Sequence, residues 1–113
     1  MSKAKEETGL KRAILDGLTG SGLCEVWNQP SGSHRVKRGY LVCAPKGSSD
    51  VVGFLTDGTG RHLALEIKRP GEQPTPEQIA SLARVSAAGG IAAIVHSPAE
   101  AIEVVRAAFR RAS

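Results

Sequence analysis

Aromatic residues are scarce in this chain, 4% of 113 residues, and only one of them is a tryptophan. In such a domain a lone Trp27 reads as core or half-buried scaffold rather than as a base-stacking surface. Cysteine is nearly as rare. Cys24 and Cys43 stand far apart, without the close pairing of a zinc site or the density of a disulfide-stapled secreted scaffold. Both are expected as reduced thiols of a cytoplasmic protein, in a bacterium or a phage-infected host. Long apolar runs are missing and Met1 to Lys11 is polar and charged, so neither a membrane span nor a signal peptide is expected. Acidic residues are outnumbered, 11 against 15 Lys and Arg, for a net charge of +4. That balance is compatible with a phosphate backbone as partner without demanding one. The length sets a single domain, residues 1–113, with one modest core; any larger binding surface must come from oligomerisation.

What is present is ordered. Leu10, Ile14 and Leu18 recur every four residues, predicting an amphipathic first helix from about Lys3 to Leu18, ended by Gly17, Gly20 and Gly22. Glu7 falls on the inward stripe of that helix. It reads either as an acid favoured by the helix dipole or as a carboxylate directed at whatever the helix packs on. Residues 23–28 alternate as a strand. From Asn28 to Arg38 the composition turns polar and basic, predicting a mobile surface loop that serves either as a substrate grip or as a connector. His34 within it is expected to be neither ligand nor base. Residues 39–44 give another short strand, and residues 50–56 and 61–69 form a hairpin across a Gly-rich turn. Thr75-Pro76-Glu77-Gln78 reads as a capping box opening a helix to about Ala88, with Ile79, Leu82, Ala83 and Ser86 along one face. Ile91 to Val95 is a continuous apolar run, expected as a buried strand. Ser97-Pro98-Ala99-Glu100 repeats the cap for a last helix to about Arg111, which buries Ile102, Val105 and Phe109. The expected class is α+β, a central mixed sheet flanked by helices in three layers.

Chemistry concentrates between Gly47 and Gln78. Asp50 opens one strand of the hairpin, and Glu66 and Lys68 lie in the next, embedded in Leu63-Ala64-Leu65-Glu66-Ile67-Lys68. A charge in so apolar a strand is tolerated only when paired or metal-bound. Two carboxylates suit a hard divalent cation, and an ammonium beside them can steady an attacking water or a phosphate oxygen. The bland alternative is a surface ladder of charges. Parity decides whether one site is possible, because side chains alternate faces and paired residues share a face. A two-residue turn pairing Asp57 with Gly60 sends Asp50 and Glu66 to opposite faces. A three-residue loop, Gly58-Thr59-Gly60, pairs Asp57 with Arg61, gives Gly60 a left-handed conformation and puts Asp50, Val52, Glu66 and Lys68 on one face. Leu65 and Ile67 then anchor the sheet on the helices.

Four ordered motifs carry a resemblance: Gly47-Ser48-Ser49-Asp50-Val51-Val52-Gly53, Leu65-Glu66-Ile67-Lys68-Arg69-Pro70, Thr75-Pro76-Glu77-Gln78 and Gly89-Gly90-Ile91-Ala92. Over about residues 7 to 105 the chain resembles the VRR-NUC (virus-type replication-repair nuclease) family, a branch of the PD-(D/E)XK nucleases. The resemblance implies a restriction-endonuclease-like core of αβββαβα type that cleaves DNA phosphodiesters with magnesium or manganese. Asp50 and Glu66 would be metal ligands, the Ile67 carbonyl a further ligand and Lys68 the catalytic lysine. Glu7 matches the acidic residue of the family's first helix, which favours a metal ligand over a dipole partner. Gln78 falls on the motif glutamine, a contact to substrate or water, and the capping box remains its structural alternative. Ser49 replaces the proline of the family name, and the Asn28 to Arg38 stretch matches only loosely. Expected contacts to the phosphate backbone are Arg35, Lys37, Arg38, Lys46 and Arg69. Family members of this length resemble junction resolvases, which need two sites on opposed strands and so imply a symmetric homodimer on branched DNA such as four-way junctions. A flap or other branched-DNA nuclease is one alternative. A nucleic-acid-binding module that keeps the fold without catalysis is another.

Overall fold

The computed structural model describes residues 3–30, 33–36, 39–42 and 46–110, with backbone alone for 3–5, 33–36 and 39–42. Helix α1 spans Lys3–Ser21, followed by β1 (Cys24–Asn28), β2 (Ser33–Val36), β3 (Gly39–Val42), β4 (Val51–Leu55), β5 (His62–Ile67), α2 (Pro76–Ala87), β6 (Ile91–Val95) and α3 (Pro98–Ala108). Four strands make a mixed sheet in the order β1-β4-β5-β6. The first three neighbours run antiparallel, and β6 lies parallel to β5 after the crossover through α2.

One face of the sheet carries the core. Val51, Leu55, Leu63, Leu65 and Val95 turn to this side and are essentially inaccessible, packed with Ile14 and Leu18 of α1 and with Ala101 and Val105 of α3. Each such aliphatic side chain contributes on the order of 1.5–3 kcal/mol through burial. Helix α1 runs past Gly17 and Gly20, beyond the end expected at Leu18, and stops only at Gly22, whose φ is +72°. Gly17 is a contact point rather than a breaker: a Cβ there would sit 3.5 Å from Pro98 and 3.6 Å from Ile102, an ordinary contact, so the position marks where α1 lies on α3. Cys24 is a free, buried thiol whose pKa is raised by that burial; Cys43 lies outside the described residues.

On the opposite face α2 covers β5 and β6. The helix is rotated from the expected orientation. Its half-buried positions are Gln78, Ser81, Leu82 and Val85, and Ile79 is 53% exposed. One residue along a helix is a rotation of about 100°, and that rotation brings Gln78 to the sheet in place of Ile79. The capping box is present: the Gln78 N–H donates to Thr75 Oγ1 over 3.1 Å, and the Thr75 N–H donates to Gln78 Oε1 over 2.8 Å.

Three further expectations are corrected. The hairpin turn is longer than three residues, since Phe54 pairs with His62 and the Leu55 N–H donates to the Arg61 carbonyl over 3.0 Å. Asp57 therefore lies within the turn, where its carboxylate accepts from Thr59 and, over 2.7 Å, from the Arg110 N–H. The parity nevertheless holds, with Gly60 left-handed at φ +64°. The Asn28 to Arg38 stretch contains β2, which pairs with β3 in a separate two-stranded sheet; a polar segment needs only a backbone partner to become a strand. Strand β6 is an edge strand, so only Val95 of its five residues is fully buried.

Candidate active site

The register places Asp50 and Glu66 in one row across β4 and β5: Val51 pairs with Leu65, so the next pair toward this end of the sheet is Asp50 with Glu66. Glu66 is 1% exposed. Its Oε1 accepts from Gln78 Nε2 over 2.8 Å and lies 3.8 Å from Lys68 Nζ. Its Oε2 is buried and has no hydrogen-bond partner among the described residues. Burial pushes the Glu66 pKa up to about 8; the neighbouring Asp50 carboxylate adds to the rise, and Lys68 and Lys11 oppose it. A proton, or a cation shared with Asp50, would satisfy the orphaned oxygen.

Asp50 is held from both sides. Its Oδ2 accepts from the Ile67 N–H over 3.0 Å, and its Oδ1 lies 3.7 Å from Lys11 Nζ. The turn before it approaches α2 closely. Gly47 has φ +88°, and a Cβ there would fall 2.7 Å from the Glu77 Cβ, so a glycine is required for the chain to pass the first turn of α2. Lys68 is fixed through its backbone: its N–H donates to the Val95 carbonyl over 3.1 Å, and its carbonyl lies 2.8 Å from His96 Nδ1.

Gln78 carries both of its suggested roles at once. The amide oxygen closes the capping box, which turns the amide nitrogen toward Glu66. A carboxamide offers acceptor and donor on opposite sides of one planar group, so the cap fixes which side faces the acid.

These residues line a cavity of about 470 Å³ that also takes in Glu7, Lys11, Ile67 and Arg69. Glu7 reaches the cavity but turns to Arg69, with Oε1 3.9 Å from Nε. Arg69 is also bound by Glu6 over 2.7 Å and by Glu72 over 3.4 Å, so in this structure the arginine is engaged by carboxylates. Among the described residues no three Asp, Glu, His or Cys side chains stand together as a metal cluster; Asp50 and Glu66 are the acidic pair. Lys46 is exposed on the turn leading to Asp50, the side chain of Arg35 on β2 is not described, and Lys37 and Arg38 lie outside the described residues.

Two participants escape the sequence reading. Lys11 stands one helical turn after Glu7, so the spacing that turned Glu7 inward applies equally to it. His96 follows directly after the apolar run of β6 and gives no local sign of its contact with the Lys68 carbonyl.

The arrangement defines an α+β domain whose mixed sheet ends in a cleft that holds the Asp50 and Glu66 pair, Lys11, Lys68 and an oriented amide, with Glu7, Arg69 and Glu72 at its wall. No protein-family model matches the chain, and no curated protein matches it. None of the described helices is long and apolar enough to cross a membrane.

Proposed function

We propose that the chain is a divalent-metal-dependent deoxyribonuclease that hydrolyses phosphodiester bonds in branched DNA, such as four-way junctions, and works as a homodimer. The observation that carries the reading is the buried Glu66 carboxylate with one unsatisfied oxygen, set in the same row as Asp50 and beside Lys68. A buried acid facing a second carboxylate is costly in a merely structural role; a shared proton satisfies the pair when the site is empty, and a cation replacing that proton gives the pair a use. Two further features support the reading. With the β2–β3 excursion set aside, the elements follow in the order α, three β, α, β, α, the order implied by the resemblance to VRR-NUC and other PD-(D/E)XK nucleases. The motif residues Asp50, Glu66, Lys68 and Gln78 also converge on one cavity.

The donor set fits a hard cation: two carboxylates at the end of adjacent strands, with Ile67 lining the same cavity, where its carbonyl would be the further ligand that the resemblance implies. When bound, magnesium or manganese offsets charge on the scissile phosphate and makes water a stronger acid. The chain's own residues do the rest. Asp50 and Glu66 hold the ion, and Gln78 keeps the Glu66 carboxylate in one orientation. Lys68 would orient the attacking water and neutralise charge as the water oxygen bonds to phosphorus and gives up its proton to solvent, while the bond to the leaving oxygen breaks and that oxygen takes a proton from solvent. Lys11 balances Asp50. Glu7, the most distant of the three carboxylates on Arg69, would complete the ligand set by exchanging Arg69 for the ion, with Arg69 still held by Glu6 and Glu72.

Incubation with labelled linear, flap and four-way DNAs, in magnesium, manganese or chelator, tests the proposal. Lys68→Ala and Asp50→Ala are expected to lower cleavage by at least about 1000-fold while circular dichroism stays unchanged. Wild-type rates in either variant would remove the assignment. Binding of junctions without cleavage in any ion would favour a non-catalytic nucleic-acid-binding module. Cleavage at paired positions on opposed strands is the outcome expected of a dimer.

A further inference from the structure

The face of the sheet that carries Asp50 and Glu66 is only partly covered. Helix α2 lies over β5 and β6, and beyond it, on β1 and β4, Trp27 is 50% and Phe54 36% exposed. The two rings meet edge to face, with centroids 6.3 Å apart and planes at 66°. Trp27 pairs with Val52, so its row is adjacent to the Asp50 and Glu66 row on the same face, about 6.6 Å along the strand. We infer that Trp27, buttressed by Phe54, is a stacking platform for an unpaired base of the DNA strand whose phosphate enters the Asp50 and Glu66 cleft.

Three features favour a base as occupant. An aromatic half exposed beside a polar cleft is the usual means by which proteins hold single-stranded nucleic acid, and any base has a face to offer it. Bases inside a duplex are already stacked on one another, so only an unpaired or displaced one can lie on an indole. Charge is also arranged for it. The cleft end is lined by the ammonium groups of Lys11 and Lys68. At the far end of the patch, Glu25 pairs with Phe54 and is exposed. The positive charge thus lies at the cleft end and a carboxylate lies beyond Trp27, which leaves the neutral base as the part of the nucleotide accepted on the ring.

This inference rests on the nuclease reading and narrows its substrate to strands with an unpaired nucleotide next to the cleavage point, as at a flap or a branch. Trp27 is the only tryptophan, so its fluorescence reports on the platform without any cleavage. The protein is titrated in chelator with an oligothymidylate strand, an abasic strand of equal length, and no DNA. Quenching by the thymidylate strand and not by the abasic one is expected. Trp27→Ala should weaken binding of the labelled thymidylate strand by about 10- to 100-fold, and Trp27→Phe by less than about threefold. Equal quenching by both strands, wild-type binding by Trp27→Ala, or an emission shift with protein concentration alone would overturn the inference; the last would mark a self-association face. Base-dependent quenching without cleavage in manganese would uphold the platform while removing the nuclease. Flap cleavage by Trp27→Ala at the wild-type rate would do the reverse.

Discussion

Replacing Glu66 by glutamine separates what the site requires from what the fold requires. The Glu66 pKa is raised from 4.5 to about 8, chiefly by burial. Below pH 4.5 the group is protonated whether the chain is folded or not and costs nothing. As the pH rises the unfolded chain releases this proton first, while the folded chain holds it until about pH 8. Stability therefore falls through that window by up to about 1.4 kcal/mol per pH unit from this one group. Between pH 5 and pH 7 the loss comes to about 3 kcal/mol. Glu66→Gln has the same length, can still accept from Gln78 through its amide oxygen and carries no titrating group. The stability of the variant relative to wild type should accordingly grow by about 3 kcal/mol from pH 5 to pH 7 in urea denaturation with chelator present. In a domain of this size that is a melting-temperature gap of roughly 10–20 °C. A difference constant to within about 1 kcal/mol across the window would refute the argument that burial holds a proton on Glu66. Saturating magnesium or manganese should reverse the order, because the ion takes the ionised carboxylate and stabilises only the wild type, releasing protons as it binds.

The two functions of Gln78 come apart by substitution: Gln78→Glu preserves a capping-box side chain but removes the donor to Glu66, so cleavage should fall by about 10- to 100-fold with helix content by circular dichroism unchanged. Lys11→Met removes a charge that lowers the Glu66 pKa; the pH profile of metal binding, followed by calorimetry, should move to higher pH. Gly53→Ala would place a Cβ 1.8 Å from the Glu25 carbonyl oxygen and should cost about 3 kcal/mol or more in chemical denaturation, since the ladder between β1 and β4 must part to admit it.

Parity was legible in the sequence because alternation along a strand is strict: any even-sum register brings Asp50 and Glu66 to one face, whether the turn holds three residues or more. The length of the turn was not legible, since Asp57 is held inside it partly by Arg110, far away in sequence. The rotation of α2 was hidden for a similar reason. Hydropathy favours turning Ile79 inward, whereas the bond between Gln78 and Glu66 depends on a strand the helix meets only after folding. Lys11 was within reach of the spacing argument already applied to Glu7. The continuous apolar run of β6 reads the same at the edge of a sheet as at its centre, and the polar composition around β2 concealed a pairing made by backbone groups. Rarity alone makes Trp27 read as scaffold, whereas its exposure depends on how far α2 extends over the sheet.

The Gln78 side chain closes the first turn of α2 with one end and holds Glu66 with the other. Its geometry couples local unfolding to loss of function: a molecule in which that turn frays has also released its acid. Under the proposed chemistry, the fraction of molecules with the turn closed is a ceiling on the fraction able to cut. Protection of the Gln78 amide from hydrogen exchange and residual cleavage should then decline together in mild denaturant, well before the core opens. Under that reading, opening of this single turn is enough to disarm the site.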